Sequence, residues 1–212
     1  MNRRTLLLLA IGAGTLAGSL WMSRIHDDRR DWASAPPALQ SILWPAARTV
    51  AEFALTTQHG LPFTDTDLGG HWSLLYFGYL QCPDVCPTTL QSLRGMQKRL
   101  AADGDGATRF IFVSVDPAND SPERIGAYLS YFGDDLTGLS GSPAGLAALA
   151  GSLGVMYAEN IDASGSRSMD HTTSIIVVDP HGRGVAALPG GQTPQAMAGQ
   201  LRAVREFLGD LP

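Results

Sequence analysis

Apolar residues in this chain occur in two patterns, near-continuous runs and runs with helical spacing. The near-continuous runs cover residues 72–79, 108–115 and 174–178, and each is short enough to predict a buried strand. The near-continuous apolar character of 108–115 is typical of a strand in the middle of a sheet that is covered on both faces. Helical spacing follows the first run, with apolar side chains at Leu90, Leu93, Met96 and Leu100. The pattern therefore predicts a strand, a helix and a second strand in succession.

Three later helices share one start signal, a side chain that can cap the helix followed by proline. The pairs are Ser121-Pro122, Ser142-Pro143 and Thr193-Pro194. The hydroxyl oxygen accepts from a free N–H of the first turn, and proline suits that turn because its φ is already helical and its missing N–H leaves no bond unmade. The first and last of these helices are predicted to be amphipathic, with apolar stripes formed by Ile125, Tyr128, Leu129 and Phe132 and by Met197, Leu201, Val204 and Leu208.

Turn signals complete the order of elements. Residues 52–56 and a turn at His59-Gly60 predict an opening hairpin, and a turn at 179–182 leads strand 174–178 back into 185–188. The resulting order is strand, helix, strand, helix, helix, strand, hairpin and helix. This order predicts an α/β fold of the thioredoxin-like class, a mixed sheet with helices on both faces and an added N-terminal β-hairpin. We assign this domain to residues 47–212.

The first 22 residues predict the compartment. Arg3 and Arg4 precede an uncharged, largely apolar run at 5–22, which is about the length needed to cross a hydrocarbon core of ~30 Å. The arginine pair predicts that the amino terminus stays in the cytoplasm and that the rest is exported. The segment is a signal anchor or a signal peptide, since Trp21 suits an interfacial anchor while 17–19 is an acceptable cleavage site.

Residues 23–46 are first charged, then rich in proline and alanine, and predict a spacer between the membrane and the domain. The predicted location is the bacterial inner membrane, with a single N-terminal anchor and the domain in the periplasm. The alternative is a soluble periplasmic protein after cleavage. A net charge of −5 without basic clusters predicts no nucleic acid as partner.

The chain has two cysteines, Cys82 and Cys86, at the predicted strand-to-helix turn. A structural disulfide is the ordinary interpretation in an exported protein. The loop between these two is so short that a disulfide would stabilise the fold by well under the ~3 kcal/mol expected for a loop of about 15 residues. A reactive or metal-binding pair is therefore favoured. Thioredoxin-type oxidoreductases have two intervening residues, whereas three intervene here, which allows both sulfurs to converge on one ion.

Cys86 directly precedes Pro87, which we predict to be the first residue of the helix. Cys86 would then occupy the N-cap, where the positive end of the helix lowers the pKa of a thiol. The lowered pKa favours the thiolate, which is the form that binds metals and attacks disulfides.

A third ligand is needed for most metals, and the chain has five histidines. His26 lies in the spacer, His59 and His181 lie in predicted turns, and His71 lies at a strand start, all places where a solvated histidine is expected. His171 differs because it comes just before strand 174–178. A thioredoxin-like sheet brings the chain back beside its cysteine turn at that point, so His171 is the candidate ligand.

Several motifs together resemble the Sco/SenC family of copper-binding assembly factors for cytochrome c oxidase. The resemblance covers residues 53–208, and the string Cys82-Pro83-Asp84-Val85-Cys86-Pro87 with a distant histidine is its most specific part. The other matching segments are 76–79, 113–117, 120–122, 170–171 and 179–182. Family members commonly have threonine two residues before the first cysteine, where this chain has Leu80. That difference removes no ligand.

The resemblance implies that Cys82, Cys86 and His171 bind copper. Two soft thiolates with an imidazole suit Cu(I), for which three ligands suffice, whereas Zn(II) calls for a fourth. Asp84 and Asp170 could orient the loop or the ring, or simply cap turns. Asp116, ahead of proline at a strand end, is predicted to be structural.

Two classes of function follow. The first is a copper chaperone that delivers copper to the binuclear centre of cytochrome c oxidase subunit II, with another periplasmic copper chaperone and a thiol reductant as further partners. The second is a thiol–disulfide oxidoreductase that uses Cys82 and Cys86 to reduce the cysteines of that recipient. We favour the chaperone, which is not an enzyme, because a reductase has no use for an imidazole ligand; thiol–disulfide oxidoreductase activity is the alternative. A peroxidase is a weaker third interpretation, since no arginine lies beside the motif.

Overall fold

The structure is a computed structural model, and it describes residues 32–133 and 135–209. The predicted anchor or signal peptide at 1–22 and the spacer up to residue 31 lie outside the described residues. Within the described ranges, no helix has both the length and the apolar character that crossing a bilayer requires.

Ten strands are present in the described residues, and eight of them form one mixed sheet. In chain order they are β1 Leu43–Thr49, β2 Ala54–Thr57, β3 Pro62–Thr64, β4 Ser73–Gly78, β5 Arg109–Ser114, β6 Leu136–Gly141, β7 Tyr157–Ile161, β8 Arg167–His171, β9 Ile175–Val178 and β10 Arg183–Leu188. The large sheet has the order β1-β10-β9-β4-β5-β6-β2-β3, and β7 pairs with β8 separately. Strands β4, β5 and β6 are parallel, and all other pairs are antiparallel.

The helices include the predicted ones. They are α1 Pro37–Gln40, α2 Val85–Ala102, α3 Pro122–Leu129, α4 Pro143–Leu153 and α5 Pro194–Leu208, with 3-10 turns at Trp32–Ser34 and Asp65–Leu68. The capping prediction is confirmed at three of them. Ser121, Ser142 and Thr193 each accept a hydrogen bond from a backbone N–H of the first turn, because the proline holds that turn helical while the hydroxyl satisfies a donor.

The core is built around β4. All six of its residues are buried, and since successive side chains of a strand point to opposite faces, both faces of the sheet are covered. Helices α2 and α5 pack against each other, while α3 packs on β6 and α4 contacts β1, β2 and β6. The predicted hairpin is also present, as β2 and β3 at one edge of the sheet. The α/β prediction of a mixed sheet with an added hairpin is confirmed.

The predicted spacer is wrong for its described part. Residues 32–46 belong to the domain, whose compact unit begins at Trp32, and β1 pairs with β10 from Leu43 onward. Trp32 Nε1–H donates to the Leu43 carbonyl at 3.2 Å, and Leu39 and Ile42 are buried. The proline and alanine content suggested an extended linker, but these apolar side chains gain more by packing on the sheet edge.

Strand β6 is absent from the sequence-based order. Its residues include Gly138 and Gly141, and glycine is depleted in strands. A Cβ on Gly138 would clash with Ile125 Cγ2 and would lie 2.7 Å from Leu129 Cδ1. Glycine is therefore required here because α3 packs directly on the backbone of β6, a reason that only the tertiary structure reveals.

Candidate metal centre

The candidate site lies where the parallel strands end. Strands β4, β5 and β6 run in the same direction, so their carboxyl ends meet at one edge of the sheet. The last backbone bond between β4 and the chain after β5 joins Val115 N–H to the Gly78 carbonyl at 2.8 Å. Beyond Gly78 the chain leaves the sheet and enters the segment that carries both cysteines.

Cys82 lies in a turn between β4 and α2. The Cys82 N–H donates to the Tyr79 carbonyl at 3.3 Å and closes this turn. The side chain is partly buried, and its Sγ accepts a hydrogen bond from the Cys86 N–H at 3.4 Å. The Cys86 N–H belongs to the first turn of α2, where backbone N–H groups have no partner within the helix. It therefore points at the Cys82 sulfur, as N–H groups at helix N-termini point at anionic groups.

Cys86 is the second residue of α2. The helix begins at Val85 with Asp84 at the N-cap, so the predicted start at Pro87, with Cys86 at the N-cap, is wrong by two residues. Cys86 is fully buried and lies against Gly78, where a Cβ would come within 2.9 Å of the Cys86 Sγ. Glycine at the end of β4 therefore leaves room for the second sulfur.

His171 belongs to the small hairpin that β7 and β8 form. It is the last residue of β8, opposite Tyr157 of β7. Its Nδ1 lies 3.1 Å from the Thr172 carbonyl oxygen, and because a carbonyl can only accept, this bond requires the proton on Nδ1. In the neutral ring Nε2 then carries the lone pair, and this nitrogen lies 3.6 Å from the Cys86 Sγ. A hydrogen bond from the far nitrogen is the usual way in which a metal-binding histidine is oriented.

The three predicted residues form one cluster. Ligand atoms of Cys82, Cys86 and His171 all lie within 4.8 Å of one another, which is close enough to hold a metal ion. Both cysteines are free thiols. Two sulfurs and an imidazole nitrogen form a soft ligand set, which favours Cu(I) over hard cations.

Two tyrosine rings enclose the imidazole. The ring of Tyr76 meets that of His171 at 6.1 Å between centroids with an interplanar angle of 77°, and Tyr79 meets it at 6.0 Å and 82°. Both are edge-to-face contacts, which are favourable for aromatic rings. They restrict rotation of the imidazole and keep water from the sides of the ring that they cover.

The electrostatics of Cys86 differ from the prediction. Burial raises the pKa of its thiol to about 12, and a hydrogen bond from the Tyr76 hydroxyl partly opposes this rise. The Tyr76 Oη lies 3.5 Å from the sulfur, and burial also raises the pKa of Tyr76. The predicted lowering of the Cys86 pKa is therefore wrong, because loss of hydration outweighs the helix N-terminus.

The family is decided by comparison with known sequences. The family model SCO1/SenC matches residues 44–206, which is more than half of the chain. The chain belongs to the SCO1/SenC family. The matched residues include Cys82, Cys86 and His171.

Relatives of this SCO1/SenC chain include copper-binding proteins. A Stutzerimonas stutzeri protein described as copper-binding is 34% identical over 180 residues, which are 85% of this chain and 83% of the relative. The structure of Bradyrhizobium japonicum ScoI with copper bound has 38% sequence identity and a TM-score of 0.65, covering 73% of this chain and 98% of ScoI. Yeast Sco1 with copper bound has 28% identity and a TM-score of 0.68, covering 78% and 91%. These similarities also support the thioredoxin-like fold class.

The other histidines of this SCO1/SenC chain lie elsewhere. His59 is exposed, and the Nε2 of His71 lies 3.5 Å from the Nη2 of Arg109. The backbone of His181 forms an isolated β-bridge with Gly69. Within the described ranges, none of them joins the cluster of Cys82, Cys86 and His171. His26 lies outside the described residues.

Asp84 and Asp170 are both exposed. Asp84 occupies the N-cap of α2, but its side chain makes no capping hydrogen bond. Asp170 pairs through its backbone with Ala158 in the hairpin. As far as the structure describes the chain, neither carboxylate belongs to the three-residue cluster.

Asp116 is buried and structural, as predicted. It forms a bidentate ion pair with Arg167, with Nη1–Oδ2 at 2.6 Å and Nη2–Oδ1 at 2.9 Å, and the arginine holds the pKa of this carboxyl below its usual range. The pair ties β8 to the chain that follows β5, and β8 ends at His171. Arg167 has no signal in the sequence, because its partner is 51 residues away.

Sequence reasoning also missed Tyr76 and Asp120 as contributors to the site. Tyr76 lies inside the near-continuous apolar run that predicted β4, where it is indistinguishable from its buried neighbours. Asp120 directly precedes the Ser121-Pro122 pair that starts α3, so the sequence gives it only a place beside a helix start. Tyr76 donates to the Cys86 Sγ of the helix that follows its own strand. Asp120, which follows β5, accepts from the Leu80 N–H, and this bond depends on how β4 and β5 are placed side by side.

Proposed function

We propose that this protein is a copper chaperone that binds one Cu(I) ion through Cys82, Cys86 and His171. The observation that carries the proposal is the convergence of these three ligand atoms within 4.8 Å. Trigonal coordination by two thiolates and one imidazole satisfies Cu(I). Because the Cys86 thiol is protonated at neutral pH, with its pKa raised to about 12, copper binding at this sulfur releases a proton.

Delivery to the binuclear copper centre of cytochrome c oxidase subunit II is the second part of the proposal. Membership of the SCO1/SenC family supports it, as does the partly buried position of Cys82 and His171, because a recipient's ligands must reach the ion while it is still bound. Another periplasmic copper chaperone would load the site, and a thiol reductant would keep both cysteines reduced.

The protein would act beside a membrane. We propose that residues 1–22 remain as an inner-membrane anchor with Arg3 and Arg4 inside, which places the domain in the periplasm. Tethering raises the effective concentration of the donor toward a membrane-bound recipient without a tight interface.

A thiol–disulfide oxidoreductase is the second candidate. It is supported by the pairing of a partly buried Cys82 with a buried Cys86 whose N–H lies 3.4 Å from the first sulfur. The Cys82 thiolate would attack a recipient disulfide and form a mixed disulfide, with one recipient sulfur leaving as a thiolate. The Cys86 thiol would then give its proton to the recipient thiolate that has left, and its sulfur would displace the other recipient sulfur, so that the recipient gains two electrons and Cys82–Cys86 becomes the disulfide.

The test is Cu(I) titration against a chelator with wild type, Cys82→Ser, His171→Ala and His59→Ala. His59→Ala is the matched control, since His59 is exposed and outside the cluster. We expect one copper per wild-type and control protein and loss of affinity in the two ligand variants. Unchanged stoichiometry and affinity in both Cys82→Ser and His171→Ala would refute the site. A His171→Ala protein that loses copper but still reduces a recipient disulfide would favour the oxidoreductase.

A further inference from the structure

Asp120 is a fully buried carboxylate in the loop between β5 and α3. Its Oδ2 accepts two hydrogen bonds, from the Ser114 hydroxyl at 2.7 Å and from the Leu80 N–H at 3.1 Å. Its own carbonyl accepts from the Ser140 hydroxyl at 2.7 Å. Asp120 is therefore held by residues of β5 and β6, and it reaches across to the chain that follows β4.

The hydrogen bond from the Leu80 N–H to Asp120 lies just beyond the end of strand β4. The ladder between β4 and the neighbouring chain ends with Val115 N–H bonded to the Gly78 carbonyl at 2.8 Å. Leu80 comes two residues after this point and two residues before Cys82. It lies inside the turn that Cys82 N–H closes on Tyr79. Asp120 therefore accepts a hydrogen bond from the turn itself, beyond the backbone bond that ends the ladder at Gly78.

The three members of the cluster are held in different ways. Cys86 is buried within helix α2, and His171 ends a paired strand. Cys82 belongs to neither helix nor strand. The position of its sulfur therefore depends on the orientation of the turn, and a fixed hydrogen bond at Leu80 restricts that orientation.

We propose that Asp120 is a positioning residue for the metal centre, whose carboxylate holds the Leu80 N–H and thereby sets the position of the Cys82 sulfur relative to Cys86 and His171. The inference rests on the proposed copper-binding function. Hydrogen bonds from outside the ligand set commonly control how well a preformed site accepts its metal.

The other carboxylate oxygen supports this role. Asp120 Oδ1 is buried, and within the described part of the chain it has no hydrogen-bond partner. A buried carboxylate with one oxygen unmatched is unfavourable for stability. Asp120 is buried all the same. Its other oxygen, Oδ2, links the Ser114 hydroxyl of β5 to the Leu80 N–H in the turn that leads to Cys82.

The test compares Cu(I) affinity in wild type, Asp120→Ala and Asp120→Asn, with Asp179→Ala as the control. Asp179 is equally a buried aspartate that accepts backbone N–H groups, but it follows β9 at the opposite end of the sheet from the cysteines. We expect Asp120→Ala to weaken Cu(I) binding about ten- to a hundredfold. Asp120→Asn keeps an oxygen acceptor and should stay within about threefold of wild type, as should Asp179→Ala.

A copper-free measurement separates positioning from general loss of stability. Amide hydrogen exchange at Leu80 should be at least about tenfold faster in Asp120→Ala and unchanged in Asp179→Ala. If Asp120→Ala does not fold, Ser114→Ala serves instead, because it removes one of the two bonds that orient the carboxylate, and we expect a smaller loss of affinity and of Leu80 protection.

Two outcomes distinguish the inference from the function on which it rests. Wild-type protein that binds no Cu(I) would refute the proposed function. Wild-type protein that binds Cu(I), with Asp120→Ala or its Ser114→Ala substitute showing the same affinity and the same Leu80 exchange, would refute the role of Asp120 alone.

Discussion

The Nε2 of His171 lies 3.6 Å from the Sγ of Cys86, although 85 residues separate them in the chain. His171 is the last residue of β8, and Cys86 is the second residue of the helix that follows the central strand β4. The two meet because the hairpin returns the chain to the carboxyl edge of β4.

Gly78→Ala should damage the metal centre. The new Cβ would lie 2.9 Å from the Cys86 Sγ and 3.0 Å from Phe112 Cε2, so the sulfur or the strand must move. We expect a loss of ~1–3 kcal/mol in the free energy of unfolding and at least about tenfold weaker Cu(I) binding. Thermal unfolding and chelator competition measure the two effects. Gly199→Ala is the control, because a Cβ there meets nothing within 4 Å; equal effects of both substitutions would contradict the prediction.

Copper binding should be gated by the redox state of the cysteines. Cys82 and Cys86 are free and adjacent, so in an oxidising compartment the copper-free protein should form a disulfide between them. The disulfide offers no thiolate and should bind no Cu(I). A thiol count after exposure to an oxidant with a potential of about −120 mV measures this. Two free thiols after that treatment would show that the prediction is wrong.

Arg167→Ala should destabilise the protein in a pH-dependent way. Asp116 is buried and Arg167 holds its pKa below the usual range, so the pair contributes its full stability above the ordinary carboxyl pKa. That contribution is lost as the pH falls through the lowered pKa of the folded state. At neutral pH we expect a loss of ~1–3 kcal/mol, because a buried carboxylate loses its charged donor.

Chemical denaturation of Arg167→Ala at neutral and acidic pH provides the measurement. The difference from wild type should shrink at acidic pH, where Asp116 is protonated in both proteins. Arg202→Ala is the matched control, since Arg202 and Asp103 form an exposed pair that should contribute under ~1 kcal/mol. A difference from wild type that stays constant with pH would argue against the ion pair as its cause.

The membrane anchor remains a prediction, because residues 1–22 lie outside the described residues. If they are retained, the mature protein should fractionate with membranes, resist extraction by high salt and keep its amino terminus. Amino-terminal sequencing checks this directly. A sequence that begins near Leu20 would show cleavage and would end the tethering proposal, while the copper chemistry would be unaffected.

Much of the fold could be predicted from local patterns. Ser121, Ser142 and Thr193 cap their helices as expected, and the apolar runs became β4, β5 and β9. The pattern failed at β6, where Gly138 is required because α3 packs on the strand. It failed again at residues 32–46, where composition suggested a linker but β1 pairs with β10. In both places a non-local contact outweighed the local preference.

By itself, the sequence determined the candidate ligands and the order of most elements, because capping, periodicity and the spacing of Cys82 and Cys86 are local properties. Only the tertiary structure decided how those ligands are placed and held. Burial of Cys86 raises its pKa where the helix terminus alone predicted a lowering, and the hydrogen bond that the Leu80 N–H donates to Asp120 spans 40 residues. Hydration and hydrogen bonding at a residue depend on every element packed around it, and the sheet assembles those elements from distant parts of the chain.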